Sequence, residues 1–515
     1  MPRNCPRSRR ISSGQSASSG ERTPGRSWRP GRRLAAALLA AVGACTGATE
    51  PGPPVPRIDY VDGAIQPILS AGQSTVIEGF GFELDSTTSS VTFAALGGGT
   101  VNAATDSAGW SDEAIRVVVP GTATSGTLTI HTRSGRTLNT SVFVLPRVPF
   151  DTSGFLWQAR TPFPQSPVGV ALAAAEYPAS GGGVTTTLYA AGGAEVIGGD
   201  STILPDSGVY VATVTSNGSI GSWTRQHDTT FSDSNHSLPI RLAFASAVVA
   251  TPYNSRLTGT ELIVIGGMDT AGNAQATVYV AAVSQTHVTT AFVPVEPLPA
   301  PVAGAIAVAR RGRIYVFGGA DSAGRPQAGV YIGRVGLDGR IDGWYTAPSL
   351  TGPRAYGGGV VLDDRAFAFG GIADSADPGG GLDATPSRLV TSDTATLSLV
   401  SGFFLGSAWA PGPGLFPQGR SQFSVLPVGN AVLAVGGVCD GGVACPNETL
   451  AAAMVGDSLG SFHPAGGNTI SGAGGGVVAS TSGATWRASD GSFHGLVLGG
   501  MNLTTRLRVA GVWGF

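Results

Sequence analysis

Six histidines, at positions 131, 227, 236, 287, 463 and 494, are the first residues to weigh as acids, bases or metal ligands. No two of them stand at a metal-ligand spacing. His227 and His236 share one loop and could share an ion, but the simpler reading is two solvated loop histidines. All 31 basic residues are arginine, with no lysine anywhere. That excludes a Schiff-base lysine, a P-loop lysine and a lysine general base. A Ser-His-Asp triad finds no support in a strand–serine–helix elbow. The stretches "GGMDTAGN" (266–273), "GGADSAGR" (318–325) and "GGIADSADP" (370–378) each set an Asp beside a Ser or Thr. Such an Asp commonly caps its own loop as an Asx-turn. The alternative is an acidic rim able to take a cation or sugar hydroxyls. No EF-hand spacing is present, so calcium is the one cofactor to consider and no other is implied.

The elements that must carry these residues follow from composition. The 515 residues include 78 Gly and 34 Pro, and 12% are charged. Average usage is about 7% Gly and about 25% charged. Aromatic and β-branched runs recur between the glycines, which predicts an all-β chain of two or three domains. Nine arginines and one of the 33 acids (Glu21) precede Cys45, leaving 22 Arg against 32 acids, a net charge of −10, from there on. An acidic body argues against a nucleic-acid partner.

Residues 1–33 are rich in Arg, Ser and Pro, and "LAAALLAAVGA" (34–44) is apolar but too short to span a bilayer. This pattern predicts a secretory signal over 1–44. Val42-Gly43-Ala44-Cys45 resembles the lipobox of bacterial lipoproteins. The resemblance implies that Cys45 is acylated and anchors the chain to the cell envelope, at the outer membrane or cell surface. "CTGATEPGPPVP" (45–56) then reads as an extended Pro-rich tether. In an exported chain, Cys439 and Cys445, separated by "DGGVA", predict a disulfide.

Over 57–147, the runs "STVIEGFGF" (74–82), "SVTFAAL" (90–96), "AIRVVVPG" (114–121), "GTLTIHT" (126–132) and "TSVFVLP" (140–146) read as short strands. With Gly72, "IEGFGF" (77–82) and "WSDEAIRVVVP" (110–120), they resemble the IPT/TIG family, which implies an immunoglobulin-like sandwich used as a spacer or binding module. Gly79 and Gly81 are expected at a tight bend and Trp110 in the core.

From 151 to 515, Gly-Gly doublets recur at 192, 266, 318, 370, 436 and 499, each ending a β run. "VYVATVTSNGSIGSW" (209–223) and "VYIGRVGLDGRIDGW" (330–344) match each other closely. A period near 50 with short strands is a propeller signature, and the residues resemble kelch repeats, with aromatic marks at Trp223, Phe292, Trp344, Trp409 and Phe462. "GFLWQA" (154–159) looks like a fourth strand without a third, and "LRVAGVWGF" (507–515) like a third without a fourth. Pairing them closes six blades, and seven is the runner-up. Long repeat spacings are ascribed to insertions at 176–187 and 480–491.

The kelch resemblance implies that the loops between second and third strands share one face. They carry Asp200, Asp206, Asp269, Asp321, Asp374, Asp377, Asp383 and Asp440, a candidate binding rim. The same superfamily includes copper oxidases of the galactose-oxidase type, but Tyr189, Tyr210, Tyr279, Tyr315 and Tyr331 sit on strand motifs and read as packing. The expectation is an all-β envelope lipoprotein, an IPT/TIG sandwich followed by a six-bladed kelch-type propeller. It would bind a protein or polysaccharide without catalysis. A carbohydrate oxidase or glycan-acting enzyme, and a purely architectural envelope component, are the alternatives.

Overall fold

The computed structural model describes residues 55–515 apart from 85–87, 180–182, 198–201, 216–217, 227–235, 251–259, 337–339, 363–364, 374–391, 397–408, 412–415, 440–444, 446–447, 456–457, 471–477 and 504–507. The described chain is all-β, with no helix among the described residues. Its strands are the Val-, Ile-, Thr- and aromatic-rich runs, and Gly, Asp and Ser clusters end them.

Residues 57–145 form two sheets over one core. One sheet orders Arg57–Val61, Ser74–Phe80, Ala114–Val118 and Ala104–Trp110 side by side. The other orders Ile68–Ser70, Thr137–Leu145, Ala123–His131, Ser90–Ala95 and Thr100–Asn102, its first pair parallel. Alternation decides which face is buried: Leu128 and Ile130 face the core, while Thr127 and His131 are exposed. Trp110 lies in that core and its indole N–H donates to the Glu83 carbonyl at 2.7 Å. A Cβ at Gly79 would stand 2.1 Å from the Arg57 carbonyl oxygen, so the strand crossing there admits only glycine.

Beyond residue 150 come six sheets of four or five antiparallel strands, numbered here first to sixth, and, among the described residues, three two-stranded ones, Ala194–Ile197 with Thr202–Pro205, Arg420–Ser421 with Val438–Cys439 and Val478–Ala479 with Met501–Asn502. The first contains Ala171–Pro178, Val184–Ala191, Val209–Val214 and Thr224–Arg225, and the second Ser246–Ala250, Thr260–Ile265, Val278–Val283 and Val293–Val295. The third contains Ile306–Arg310, Arg313–Phe317, Val330–Val335 and Ile341–Thr346. The fourth contains Gly358–Leu362, Arg365–Phe369, Ser392–Thr396 and Ala410–Pro411. In the fifth, Ser424–Val428, Ala431–Val435 and Thr449–Val455 are flanked by Ser458–Leu459 and His463–Ala465. The sixth runs Ser482–Arg487, Phe493–Leu498, Val512–Gly514, and its outer strand is Gln158–Ala159 from the other end of the region. Residues 176–187 and 480–491 are not insertions. Glu176 pairs with Thr186 inside the first sheet's opening hairpin, and Ser482–Arg487 is the first strand of the sixth sheet.

Each sheet buries both faces, because its strands are apolar at successive positions. In the first sheet Ala173, Tyr189 and Val211 pack against Leu262 and Val264 of the second. Leu172, Leu188 and Tyr210 pack the other way, against Trp486, Leu496 and Leu498 of the sixth. Similar apolar layers join second to third, third to fourth, fourth to fifth and fifth to sixth. At the last of these, Phe155, Trp157 and Phe515 meet with ring centroids 5.0–5.8 Å apart. Asn468 brackets Trp157 there, accepting from its N–H at 2.6 Å and donating to its carbonyl at 2.8 Å.

The N-terminal sheets rest on the far, carboxyl-terminal ends of the first strands. Two tight turns with positive φ at both central residues, Asp62-Gly63 and Arg311-Gly312, meet there. A Cβ at Gly63 would lie 2.3 Å from the Arg311 carbonyl carbon, so the turns touch backbone to backbone. Asp62 is held by Arg310 Nη1 and Arg311 Nε, both at 2.7 Å, and Arg311 Nη2 also reaches the Ser74 carbonyl at 3.0 Å. Burial works against the Asp62 carboxylate, yet the two guanidinium groups hold it down at about 2. Glu78, 4.0 Å from Arg313 Nη1, goes the other way, because burial outweighs its cations. Arg487 forms the second contact. It grips Glu176 through Nε and Nη2 and reaches Ser70 Oγ at 2.8 Å and the Ile68 carbonyl at 3.0 Å.

Candidate functional site

The opposite, amino-terminal ends of the first strands converge. One residue leads into each: Gly169, Phe244, Gly304, Tyr356, Gln422 and Ser480, all with φ between 54° and 59°. Four of these are not glycine, in a region that L-residues seldom occupy. What holds them is a closed cycle of backbone hydrogen bonds. Phe244 N–H donates to Gly169, Gly304 to Phe244, Tyr356 to Gly304, Gln422 to Tyr356 and Ser480 to Gln422, each at 2.8 Å, and Gly169 donates to Ser480 at 3.2 Å. The two glycines have a steric cause: a Cβ at Gly169 would stand 2.5 Å from the Phe244 ring, and one at Gly304 2.4 Å from the Tyr356 ring.

Around this cycle lies a cavity of about 120 Å³. Phe244 and Tyr356, edge to face at 5.5 Å, form one part of its wall. Ser246, Gln422, Ser480, Thr481 and Ser482 supply its polar part, Phe423 is a third aromatic in the wall, and none of the lining residues is charged. The serine protons are already committed. Ser246 Oγ donates to the Ala305 carbonyl at 2.6 Å, Ser480 Oγ to Gln422 Oε1 at 2.7 Å, and Ser482 Oγ to the Val170 carbonyl. Their lone pairs remain as acceptors. Burial pushes the Tyr356 phenol up to about 12, so it keeps its proton at neutral pH.

The Gly-Gly doublets lie at this same end, since Ser246 pairs with Ile265 and Ile306 with Phe317 just before them. Both glycines of every doublet have φ between 60° and 106°. A Cβ on the first would stand 2.3–2.5 Å from a carbonyl at the entry of the next sheet, and the second donates its N–H to that carbonyl. The repeat signature is therefore the point where one sheet's chain presses on its neighbour's.

Two of the rim residues are placed by their own loops. Asp269 Oδ1 accepts from the N–H groups of Ala271 and Asn273 at 2.9 Å, and Oδ2 from Gln275 Nε2 at 2.7 Å. Asp321 repeats this with Ala323, Arg325 and Gln327 at 2.9, 3.0 and 3.2 Å, and adds an ion pair to Arg325. Slight burial pushes its carboxyl up, and these donors outweigh that and leave it below the usual range. Both are Asx-turns with their oxygens engaged. Asp206 accepts from Ser207 N–H at 2.8 Å. Asp200, Asp374, Asp377, Asp383 and Asp440 lie outside the described residues, as do Cys45 and His227.

Cys439 and Cys445 are joined by a disulfide, both buried, with Cα atoms 4.9 Å apart. Tyr189, Tyr210, Tyr279 and Tyr315 are buried in the layers between sheets, and burial pushes each phenol up. His131, His287 and His463 are exposed, and His494 bonds the Phe515 carbonyl at 3.1 Å. Among the described residues no group of His, Cys, Asp and Glu could hold a metal. The string Gly456-Asp457-Ser458-Leu459-Gly460, which fits the G-x-S-x-G pattern, was passed over in the sequence. Its Ser458 and Leu459 form a strand paired antiparallel with Thr449–Val455 and are followed by no helix among the described residues, and Gly456 and Asp457 lie outside the described residues.

The sequence reading missed the cavity residues themselves. Their signal is positional: aligned on the doublets, "LAFAS", "VAGAI", "RAYGG", "RSQFS" and "VASTS" put the same cycle position at Phe244, Gly304, Tyr356, Gln422 and Ser480. It also missed Arg354 and Arg420, both buried, whose Nη1 atoms donate to Gly370 and Gly436 carbonyls at 3.0 and 2.9 Å. No protein-family profile matches the chain, and no curated protein matches it.

Proposed function

We propose that the chain is an envelope-anchored recognition protein, a six-bladed kelch-like propeller carrying an immunoglobulin-like module, which binds a protein or polysaccharide at the end bearing the cavity. Six sheets in sequence, the cycle of hydrogen bonds through their entries and the outer strand of the sixth sheet at Gln158–Ala159 support the propeller reading. Two sheets over one core support the module. The observation that carries the function is the lining of the cavity: aromatic and hydroxyl groups, no charged side chain, and a phenol that stays protonated. Such a wall offers shape and hydrogen bonds but no group that exchanges a proton near neutral pH. The other end of the first strands is occupied by the N-terminal sheets, which leaves the cavity end for a partner.

The full chain, immobilised, is expected to retain material from an envelope extract. Ala271→Trp and Ala323→Trp, on exposed turns at the cavity end, should abolish retention, and Thr286→Trp, on an exposed turn at the other end, should not. Retention unaffected by the first pair would overturn the placement. Anchoring through Cys45 is checked separately: Cys45→Ser should move the protein to the aqueous phase of a detergent partition.

A further inference from the structure

We infer that the cavity receives an uncharged, hydroxyl-bearing ring, one residue of a neutral glycan. This rests on the recognition reading above and narrows it from a protein or polysaccharide to one ligand chemistry.

Aromatic and hydroxyl groups are mixed around the cycle. Phe244 and Tyr356 stand in the arc between Gly169 and Gln422 with Ser246 beside them, and Gln422, Phe423 and Ser480 follow on the other side. A sugar ring presents the same mixture. Its C–H face suits the negative face of an aromatic ring, and its hydroxyl edge suits hydrogen-bonding groups. The serines at 246, 480 and 482 have given their protons to protein acceptors, so towards the cavity they accept. A ligand hydroxyl can donate to them. The Tyr356 hydroxyl makes no hydrogen bond among the described residues and can donate in return.

Charged ligands fit less well. An anion would face serine lone pairs with no cation in the wall, and its lost hydration would go uncompensated. A quaternary ammonium needs several open aromatic faces. Here the lining residues Phe244 and Phe423 are only 7% and 6% exposed, which leaves Tyr356 as the aromatic with most surface to offer. At about 120 Å³ the cavity is comparable with the roughly 150 Å³ that takes one benzene ring, so its size matches a single ring.

The test is calorimetric titration of the full chain with methyl glucopyranoside, methyl N-acetylglucosaminide, tetramethylammonium chloride and sodium acetate. One neutral glycoside should bind, with an affinity unchanged between low and high salt and between about pH 5 and about pH 9, because no group in the wall titrates there. Tyr356→Phe should weaken it by about 3- to 10-fold, the worth of one hydrogen bond, and Tyr356→Ala should weaken it further. Melting curves on both variants establish that they are folded. Salt-sensitive binding of tetramethylammonium in place of a glycoside would overturn the inference, and so would glycoside binding indifferent to both folded variants. If no glycoside binds while the immobilised chain still retains envelope material through its cavity end, the glycan inference fails and the recognition reading stands.

Discussion

At their carboxyl-terminal ends the first strands meet the N-terminal sheets through Asp62 and Glu78 set against Arg310, Arg311 and Arg313, and through Arg487, which reaches Ser70 and Ile68 while holding Glu176 of the first sheet. At their amino-terminal ends the same strands line a cavity without a charged side chain. Both ends use residues in positive-φ turns, but to different effect. At the docked end two turns are pressed together and guanidinium groups engage the Asp62 and Glu176 carboxylates. At the open end six turns bond to one another and leave serine lone pairs and the Tyr356 hydroxyl towards the cavity. The difference teaches where each kind of interaction belongs. Buried ion pairs fix an orientation, since breaking one leaves an unpaired charge, whereas a neutral wall costs little to dehydrate and can accept a ligand.

The largest effect should come from Arg487→Ala, which strands the Glu176 carboxylate and removes the bonds to Ser70 and Ile68. A loss of about 3–5 kcal/mol in urea unfolding is expected, with the cavity's ligand affinity unchanged. Gly63→Val comes next. Its Cβ would meet the Arg311 backbone and its φ of 77° disfavours a branched residue. Calorimetry should then show the N-terminal sheets melting apart from the body, where the wild type melts as one; a single transition in the variant would mean that the turn contact does not couple them.

Acid should act most strongly on the docked end. The folded pKa of Asp62, about 2, lies below its ordinary 3.8, so its contribution is full above pH 4 and is lost as pH falls towards 2. About 2 kcal/mol is at stake, and Asp62→Asn should flatten that part of the profile. Glu78 has the opposite sign: its pKa is raised, so protonating it on mild acidification adds stability before Asp62 takes it away. Stability against pH should therefore peak on the acid side, while ligand binding at the open end stays level. Asp321→Ala should have the smallest effect, about 1 kcal/mol, read as faster hydrogen exchange over 321–327. Calcium-dependent stabilisation lost in that variant would restore the cation reading of this turn.

The all-β class and most strands were legible because apolar runs and glycine turns are local signals. The doublets were legible as a period, although their cause, a neighbour's carbonyl 2.3–2.5 Å from a would-be Cβ, is a contact across sheets that no local pattern contains. The pairing of 158–159 with 513–514 could be read from two incomplete repeats. The edge strands Ile68–Ser70 and Thr100–Asn102 could not, being three residues each, too short for a period to register. At the site, aspartates drew attention because they are chemically conspicuous. The structure gives Asp269 and Asp321 to their own turns and gives the cavity to Phe244, Tyr356, Gln422 and Ser480, which differ from one another and so leave no motif. Asp62 and Arg311, far apart in sequence, likewise carry no mark of their meeting.

Among the described residues the strand Gln158–Ala159 finds its one strand partner at Val512–Gly514, about 350 residues later. A nascent chain holds that segment, with Phe155 and Trp157 beside it, unpartnered until nearly everything else has emerged. Closing so long a loop is entropically slow. Any chain stopped short of residue 512 would leave that strand edge unpaired and Phe155 and Trp157 without the Phe515 ring they meet, a handle by which chaperones and proteases can tell an unfinished molecule from a finished one.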